Sequence, residues 1–169
     1  MTLEQLWAGW RAEFLNTSAR GDDSGGSCVF CALLGSQAPR SETLIVATTQ
    51  TSLVVLNLYP YVSGHLLVMP QRHVGDLAAL STAEGDDLWS TIRRAHATLQ
   101  RAYQPDGFNV GANLGRAAGA GIPDHAHFHV LPRWTGDTNF TTTIAGARVI
   151  PETLQDTWNK VTRAWEHVG

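Results

Sequence analysis

The sequence predicts an α+β domain built on an antiparallel sheet, and three observations carry that prediction. Short runs rich in β-branched and apolar residues (TLIVAT, TSLVVLN, HLLVMP, FNVGANL and HAHFHVLPR) are joined mostly by brief polar or glycine-containing connections, which favour antiparallel neighbours. The segment 81–103 and the segment after Pro151 each carry a single apolar stripe at helical spacing, so each helix packs on one side only. At 169 residues and 43% hydrophobic content, the chain should bury roughly 70% of the surface its unfolded form exposes, without a disulfide or metal staple.

The elements follow in order. Thr2 and Gln5 fit a capping box, and Leu3, Trp7, Trp10 and Phe14 step at 4, 3 and 4, which predicts a helix over 2–15. Residues 16–27, NTSARGDDSGGS, read as a mobile loop. Two strands follow between Glu42 and Asn57 with a polar turn near Gln50, and HLLVMP is a third strand stopped by Pro70. Ser81 and Glu84 make a second capping box ahead of the stripe Leu88, Ile92, Ala95, Leu99 and Tyr103. Pro105 and Gly107 end that helix, and FNVGANL is the fourth strand. A loop of small residues, RAAGAGIPD, leads to HAHFHVLPR, the fifth. The weaker strand ARVI precedes Pro151, placed at the first position of a last helix along which Leu154, Trp158, Val161 and Trp165 step at 4, 3 and 4. No repeat or low-complexity tract interrupts the chain. The expectation is one domain over 1–169, with an N-terminal helix and loop to residue 27, a chemical core over 28–134 and a closing strand and helix over 135–169.

Composition excludes several functions. Twelve Lys+Arg against fifteen Asp+Glu leave a net charge of −3, which lacks the electrostatics of a nucleic-acid polymer binder or an anionic-membrane binder. The N-terminus MTLEQLWAGW has neither the cationic nor the apolar stretch of a secretory signal. The longest apolar runs fall far short of the ~18 residues of a spanning helix. The expected location is the cytoplasm.

Chemistry concentrates in the histidines. Three of the seven stand at 125, 127 and 129, and on a strand alternation puts all three on one face with Ala126, Phe128 and Val130 on the other. Neighbours on that face stand roughly 6.6–7 Å apart, so one metal can take two of them but hardly all three. Stability alone would not gather imidazoles that repel when protonated. A buried structural set, a metal pair of the H-x-H kind, and nucleophilic or acid–base catalysis are the readings to weigh. Imidazole suits the last because it is partly neutral near pH 7 and attacks electrophilic phosphorus or acyl carbon. The preceding loop Gly115–Asp124, GRAAGAGIPD, lets backbone amides approach an anion closely, which favours phosphorus.

The pattern His125-Ala-His127-Phe-His129-Val-Leu, followed by Pro132-Arg133, resembles the H-φ-H-φ-H-φ-φ signature of the histidine triad superfamily of nucleotide hydrolases and transferases. Upstream, Asn57-Leu-Tyr-Pro-Tyr-Val-Ser-Gly64-His65-Leu-Leu-Val-Met-Pro70 is similar to that family's strand–loop–strand with its Gly-His pair. The N-terminal LWAGWR with a later C-x-x-C and the tail RWTGDTNF…RVIPE resemble the diadenosine polyphosphate branch, which includes fragile histidine triad hydrolases and bacterial diadenosine tetraphosphate phosphorylases. The resemblance spans nearly the whole chain. It implies a covalent nucleotidyl-imidazole at His127, contact of His129 with the phosphate, and support of the triad by His65. It also implies that Asn57 holds the ribose hydroxyls, that Asn113 with Gly119, Ala120 and Gly121 lines the phosphates, and that Trp134 lies near the site. Gly121 stands where the hydrolases carry glutamine, and Gly119-Ala120-Gly121 lacks the serine common in the phosphorylases.

Cys28 and Cys31 make a C-x-x-C in a polar context. Two inert thiols, a redox pair and a metal site are open to them. Zinc-bearing relatives of the family complete such a pair with a histidine after the Gly-His strand and with the first triad histidine. The resemblance therefore implies a structural zinc on Cys28, Cys31, His73 and His125. His96 and His167 fall on helices and read as surface residues.

The expected activity is cleavage of dinucleoside polyphosphates through a nucleotidyl-histidine, with inorganic phosphate as the second acceptor and Arg116 or Arg133 available to pair with it. Hydrolysis of such nucleotides, or of nucleoside phosphoramidates, is the alternative. So is a non-catalytic nucleotide-binding module. No organic cofactor is implied; a homodimer or larger homo-oligomer is.

Overall fold

A computed structural model describes residues 28–137 and 150–168; the predicted first helix, the 16–27 loop and most of the ARVI strand lie outside them. The elements are α1 (Val29–Gly35), α2 (Arg40–Thr43), β1 (Ile45–Thr48), β2 (Ser52–Leu56), β3 (Leu66–Pro70), α3 (Thr82–Tyr103), β4 (Gly107–Gly111), β5 (Phe128–Arg133) and α4 (Leu154–Trp165), with short 3-10 turns at Leu77–Ala79 and Arg116–Ala118. The strands form one sheet in the order β1-β2-β3-β5-β4, and every pairing is antiparallel. The predicted α+β architecture is the one found.

β2 and β3 are buried along their whole length, because both faces of the sheet are covered. Alternation sends Val54, Leu56, Leu66 and Val68 to a large core with Leu88, Ile92, Ala95 and Leu99 of α3 and with Val161 and Trp165 of α4. Leu53, Val55, Leu67 and Met69 go to the opposite face, where Phe30 of α1 covers them. β3 and β5 pair Leu67 with His129 and Val68 with Phe128. Directly paired residues share a face, so His129 stands on the α1 side and Phe128 on the α3 side.

α3 begins as its capping box predicts: Ser81 Oγ accepts from the Glu84 amide at 3.3 Å and Glu84 Oε2 accepts from the Ser81 amide at 2.8 Å. Arg72 binds both Glu84 oxygens, at 2.7 and 2.9 Å, and this with the Ser81 bonds holds the Glu84 carboxyl down at about 2. The same pair ties the 71–80 segment, which carries His73, to the start of α3. Asp87 Oδ2 accepts from the hydroxyls of Thr49, Thr51 and Ser52 at 2.7–2.9 Å, clamping the β1–β2 turn to the same helix. Trp158 donates from Nε1 to the Ile45 carbonyl at 3.0 Å, fixing α4 against β1.

Three expectations are corrected. β5 starts at Phe128, so His125 and His127 precede the strand and only His129 lies on it. In this approach segment the Ala126 amide donates to the Val74 carbonyl at 2.7 Å, and Gly75 is so close to Pro123 that a Cβ there would meet its carbonyl at 2.7 Å. Those contacts pull the backbone off the ladder. The C-x-x-C is not in a loop: Cys28 caps α1 and Cys31 lies inside it. Pro151 precedes α4, whose cap is Thr153, its hydroxyl accepting from the Asp156 amide at 3.1 Å. A Thr cap satisfies an orphan amide that Pro cannot serve.

Candidate active site and metal centre

The approach to β5 carries the three triad histidines into two different environments. His125 is fully buried, His127 is 6% exposed, and His129 is half-buried. Their hydrogen bonds decide which ring nitrogen holds each proton, because several partners can play one role only. A carbonyl can only accept, so His125 donates from Nε2 to the Pro70 carbonyl at 2.8 Å, and its Nδ1 keeps a lone pair. His127 donates from Nδ1 to the His125 carbonyl at 2.9 Å, which leaves the lone pair on Nε2.

On the other side, the Tyr61 amide can only donate, and it does so to His65 Nδ1 at 3.1 Å. The neutral His65 ring therefore carries its proton on Nε2 and donates to His129 Nδ1 at 2.8 Å. His129 in turn holds its proton on Nε2, as a donor. The result is one imidazole with a free lone pair, His127, beside one with a free N–H, His129, their ring centroids 5.3 Å apart. A lone pair suits attack on phosphorus, and an N–H suits a phosphate oxygen.

Burial keeps these rings neutral. It lowers the pKa of His125 and of His127. For His129, burial together with the neighbouring His127 brings the pKa down to about 4. Neutral imidazole is the nucleophilic and metal-binding form.

Cys28, Cys31, His73 and His125 converge, with their four ligand atoms all within 4.8 Å of one another. The Sγ–Nδ1 separations are 3.4 Å for Cys28–His125, 3.5 Å for Cys31–His73 and 3.7 Å for Cys31–His125. A tetrahedral zinc, with Zn–S about 2.3 Å and Zn–N about 2.0–2.1 Å, separates sulfur from nitrogen by about 3.6 Å. The donor set and its spacing fit such an ion. So does the support behind the ring: the Pro70 carbonyl accepts from His125 Nε2 and so orients its Nδ1 lone pair towards the thiols. Burial, with Cys28 beside it, pushes the Cys31 thiol up, a direction that a dication would reverse. The described residues thus bring together all four of the predicted metal ligands.

The remaining predicted residues occupy more varied places. Asn57 uses its amide within the protein, Nδ2 donating to His65 Nδ1 at 3.3 Å and Oδ1 accepting from the Tyr59 amide at 3.0 Å. In this arrangement it orients His65, where the sequence suggested a ribose ligand. Asn113 is half-buried between β4 and the Arg116–Ala118 turn. The amides of Gly119 and Ala120 donate to the carbonyls of Arg116 and Gly115, at 2.9 and 3.2 Å, so they close the turn and do not form the expected open anion cradle. Gly119 has φ +85°, a conformation glycine adopts without strain. Arg133 is bound to Asp137, through Nη2 at 2.7 Å, and to Asn109 at 2.6 Å, so its charge is already paired with the Asp137 carboxylate. Arg116 is exposed. Trp134 is half-buried, its ring edge-on to Tyr103 at 5.9 Å. His96 and His167 are exposed, as expected.

Sequence reasoning missed two contributors. Tyr61 stacks on His129 at 5.8 Å and 16° while its amide sets the tautomer of His65. Phe30 meets both His125 and His127. Tyr61 lay within the quoted Gly-His segment, whereas nothing in the local pattern of VFCALLG signals a contact across about 95 residues.

The HIT domain family profile matches residues 38–136. The AP-4-A phosphorylase of Mycobacterium tuberculosis is 39% identical over 165 residues, covering 96% of this chain and 85% of that protein. The asymmetrical bis(5'-nucleosyl)-tetraphosphatase of Schizosaccharomyces pombe is 35% identical over 89 residues, 53% of this chain and 48% of that one. Among solved structures, a Zn-bound histidine triad family protein from Mycobacterium smegmatis superposes with a TM-score of 0.68 at 27% identity, over 83% of this chain and 94% of that one. Profile, relatives and fold agree with the triad geometry, and the chain belongs to the histidine triad (HIT) family.

Proposed function

We propose that this chain is an enzyme that cleaves dinucleoside polyphosphates of the diadenosine tetraphosphate type through a covalent nucleotidyl-His127, with inorganic phosphate as second acceptor. The observation that carries the reading is the proton arrangement of the triad. His127 Nε2 attacks the α-phosphorus, the P–N bond forms, and the bridging P–O bond breaks to release the nucleoside polyphosphate. His129 Nε2–H donates to a phosphate oxygen as charge builds, held in place by His65 and, behind it, by Tyr61 and Asn57. A phosphate oxygen then attacks the same phosphorus, the P–N bond breaks and His127 is free again. Diadenosine tetraphosphate gives ATP and ADP by this route.

The preference for phosphate is supported by the 39% identical phosphorylase that aligns over nearly the whole chain, and by glycine at 121 where hydrolases of the family carry glutamine. The engagement of the Gly119 and Ala120 amides within their own turn favours the second reading, hydrolysis to ATP and AMP. Incubating the protein with diadenosine tetraphosphate and labelled phosphate separates the two: label in ADP is expected. AMP formed at one rate with and without phosphate, and no label in ADP, would leave hydrolysis.

A structural zinc on Cys28, Cys31, His73 and His125 would fix α1 and the 71–80 segment to the approach segment that carries His125 and His127. Among the described residues β4 has a strand neighbour on one side only, an edge suited to a second copy of this chain in a homodimer. No helix among the described residues is long and apolar enough to cross a membrane.

A further inference from the structure

We propose that Phe30 is a positioning residue for His127: its ring stands between the cysteine–histidine cluster and the nucleophile and holds the His127 imidazole with Nε2 presented for attack. The inference rests on the reading of His127 as the nucleophile.

Phe30 is the α1 residue just before Cys31, and it is 5% exposed. Its ring meets His125 edge-on at 5.4 Å and 84°, and His127 at 5.2 Å and 60°. The His129 ring flanks His127 as well, at 5.3 Å. The bond from His127 Nδ1 to the His125 carbonyl decides which nitrogen bears the proton. A single hydrogen bond leaves the ring free to tilt about it, and a small misalignment of an attacking atom is costly. Packing between two aromatic rings removes that freedom, because edge contacts between rings have a preferred geometry.

The same ring links His127 to the cluster. α1 has seven residues and no side-chain cap at Cys28, well below the ~12–15 residues at which a helix begins to hold in isolation. Its place is set by Cys28 and Cys31 at the cluster, by Phe30 among Leu53, Val55, Leu67 and Met69, and by Leu33 and Leu34 packed against the same apolar face. Ligation of the two cysteines thus fixes the backbone that aims Phe30 at His127.

Phe30→Leu keeps an apolar side chain and removes the ring; Phe30→Tyr keeps the ring. Long-range 1H–15N spectra of labelled histidine read which nitrogen of His127 carries the proton, and zinc content is measured on the same samples. In Phe30→Leu we expect unchanged zinc per chain, KM within about twofold, kcat lower by roughly tenfold, and loss of the single sharp ring-nitrogen signature of His127 as the ring tilts about its Nδ1 bond. Phe30→Tyr should restore both kcat and that signature. If Phe30→Leu does not fold, Phe30→Met takes its place with the same outcomes. An unchanged kcat and His127 spectrum would overturn the proposal. So would a kcat that falls only in proportion to lost zinc, or a Phe30→Tyr variant as impaired as Phe30→Leu. The spectrum needs no substrate. A shifted His127 signal in a protein inert on diadenosine tetraphosphate would support the positioning role and count against the proposed activity alone.

Discussion

The two faces of the sheet are held together by different physics. Among the described residues, thirteen buried ones form one apolar core on the α3–α4 side, assembled from alternating strand positions and two helix stripes. On the α1 side the apolar cluster of described residues is less than half that size. Order there depends on directional contacts: the Cys/His cluster, the His125–Pro70 and His127–His125 bonds, and the His65–His129 bond. An apolar core tolerates small shifts because its attraction has no direction, whereas a triad works only when particular lone pairs face particular atoms. The difference teaches that the large core supplies most of the stability and the polar face supplies the geometry. Substitutions on the two faces should therefore separate.

The sharpest break of that separation is at His127, the proposed nucleophile. His127→Gly should lower turnover by about a thousandfold or more, since the covalent route is lost, while the melting temperature stays within a few degrees. His96→Ala, on an exposed helix position, should leave turnover within about twofold. Steady-state kinetics and calorimetry on the same samples read both. A His127→Gly variant with near-normal turnover would defeat the covalent mechanism.

On the opposite face, Leu99→Ala removes a fully buried side chain of α3 and should cost about 2–5 kcal/mol in denaturant unfolding. Its kcat per folded molecule should stay within about threefold. A much larger loss of kcat would mean that the two faces are coupled through the sheet.

Metal removal probes the polar face as a whole. Protein purified without chelator should carry about one zinc per chain. Stripping it, or making Cys28→Ser with Cys31→Ser, should expose the thiols to reagent and lower kcat by roughly 10–100-fold, with a smaller effect on the α3–α4 core as read by hydrogen exchange. No zinc together with freely reactive thiols in the native protein would remove the metal centre from the site.

Acid acts on the same face. The pKa of His129 falls from the ordinary histidine value of 6.5 to about 4 on folding. Between those values the unfolded chain binds the extra proton and the folded chain does not, so stability should rise with pH across that window and be lost as pH falls through it. His129→Gln should flatten that part of the stability–pH curve. An unaltered slope would place the acid sensitivity elsewhere.

The smallest expected effect is at a helix cap far from the chemistry. Ser81→Ala should cost about 1 kcal/mol and leave kcat and KM unchanged.

Most of the α3–α4 face could be read along the chain. The Ser81–Glu84 box, the stripe from Leu88 to Leu99 and the alternation in β2 and β3 are local patterns, and local patterns impose periodic burial wherever the chain docks. The triad was legible as a motif, and with it the four metal ligands through the family resemblance. What the motif could not contain is the geometry by which His125 turns its Nδ1 to the thiols while His129 turns its own to His65. That split arises because the chain leaves the ladder before Phe128, drawn aside by the Ala126–Val74 bond and the Gly75–Pro123 contact. The start of α1 at the cysteines and the Phe30 contacts were hidden for a similar reason. Seven residues of helix carry too little periodicity to be read, and the two histidines that Phe30 meets lie 95 and 97 residues away along the sequence. The engagement of the Gly119 and Ala120 amides within their own turn likewise depends on the backbone path of that loop, which composition does not specify. Composition, spacing and periodicity determined the α+β class, the helix faces and the identity of the chemical groups. The protonated nitrogen on each imidazole, the convergence of Cys28, Cys31, His73 and His125 and the contact of the Phe30 ring with His127 were decided by the tertiary structure, because each depends on which atoms meet across distant parts of the chain.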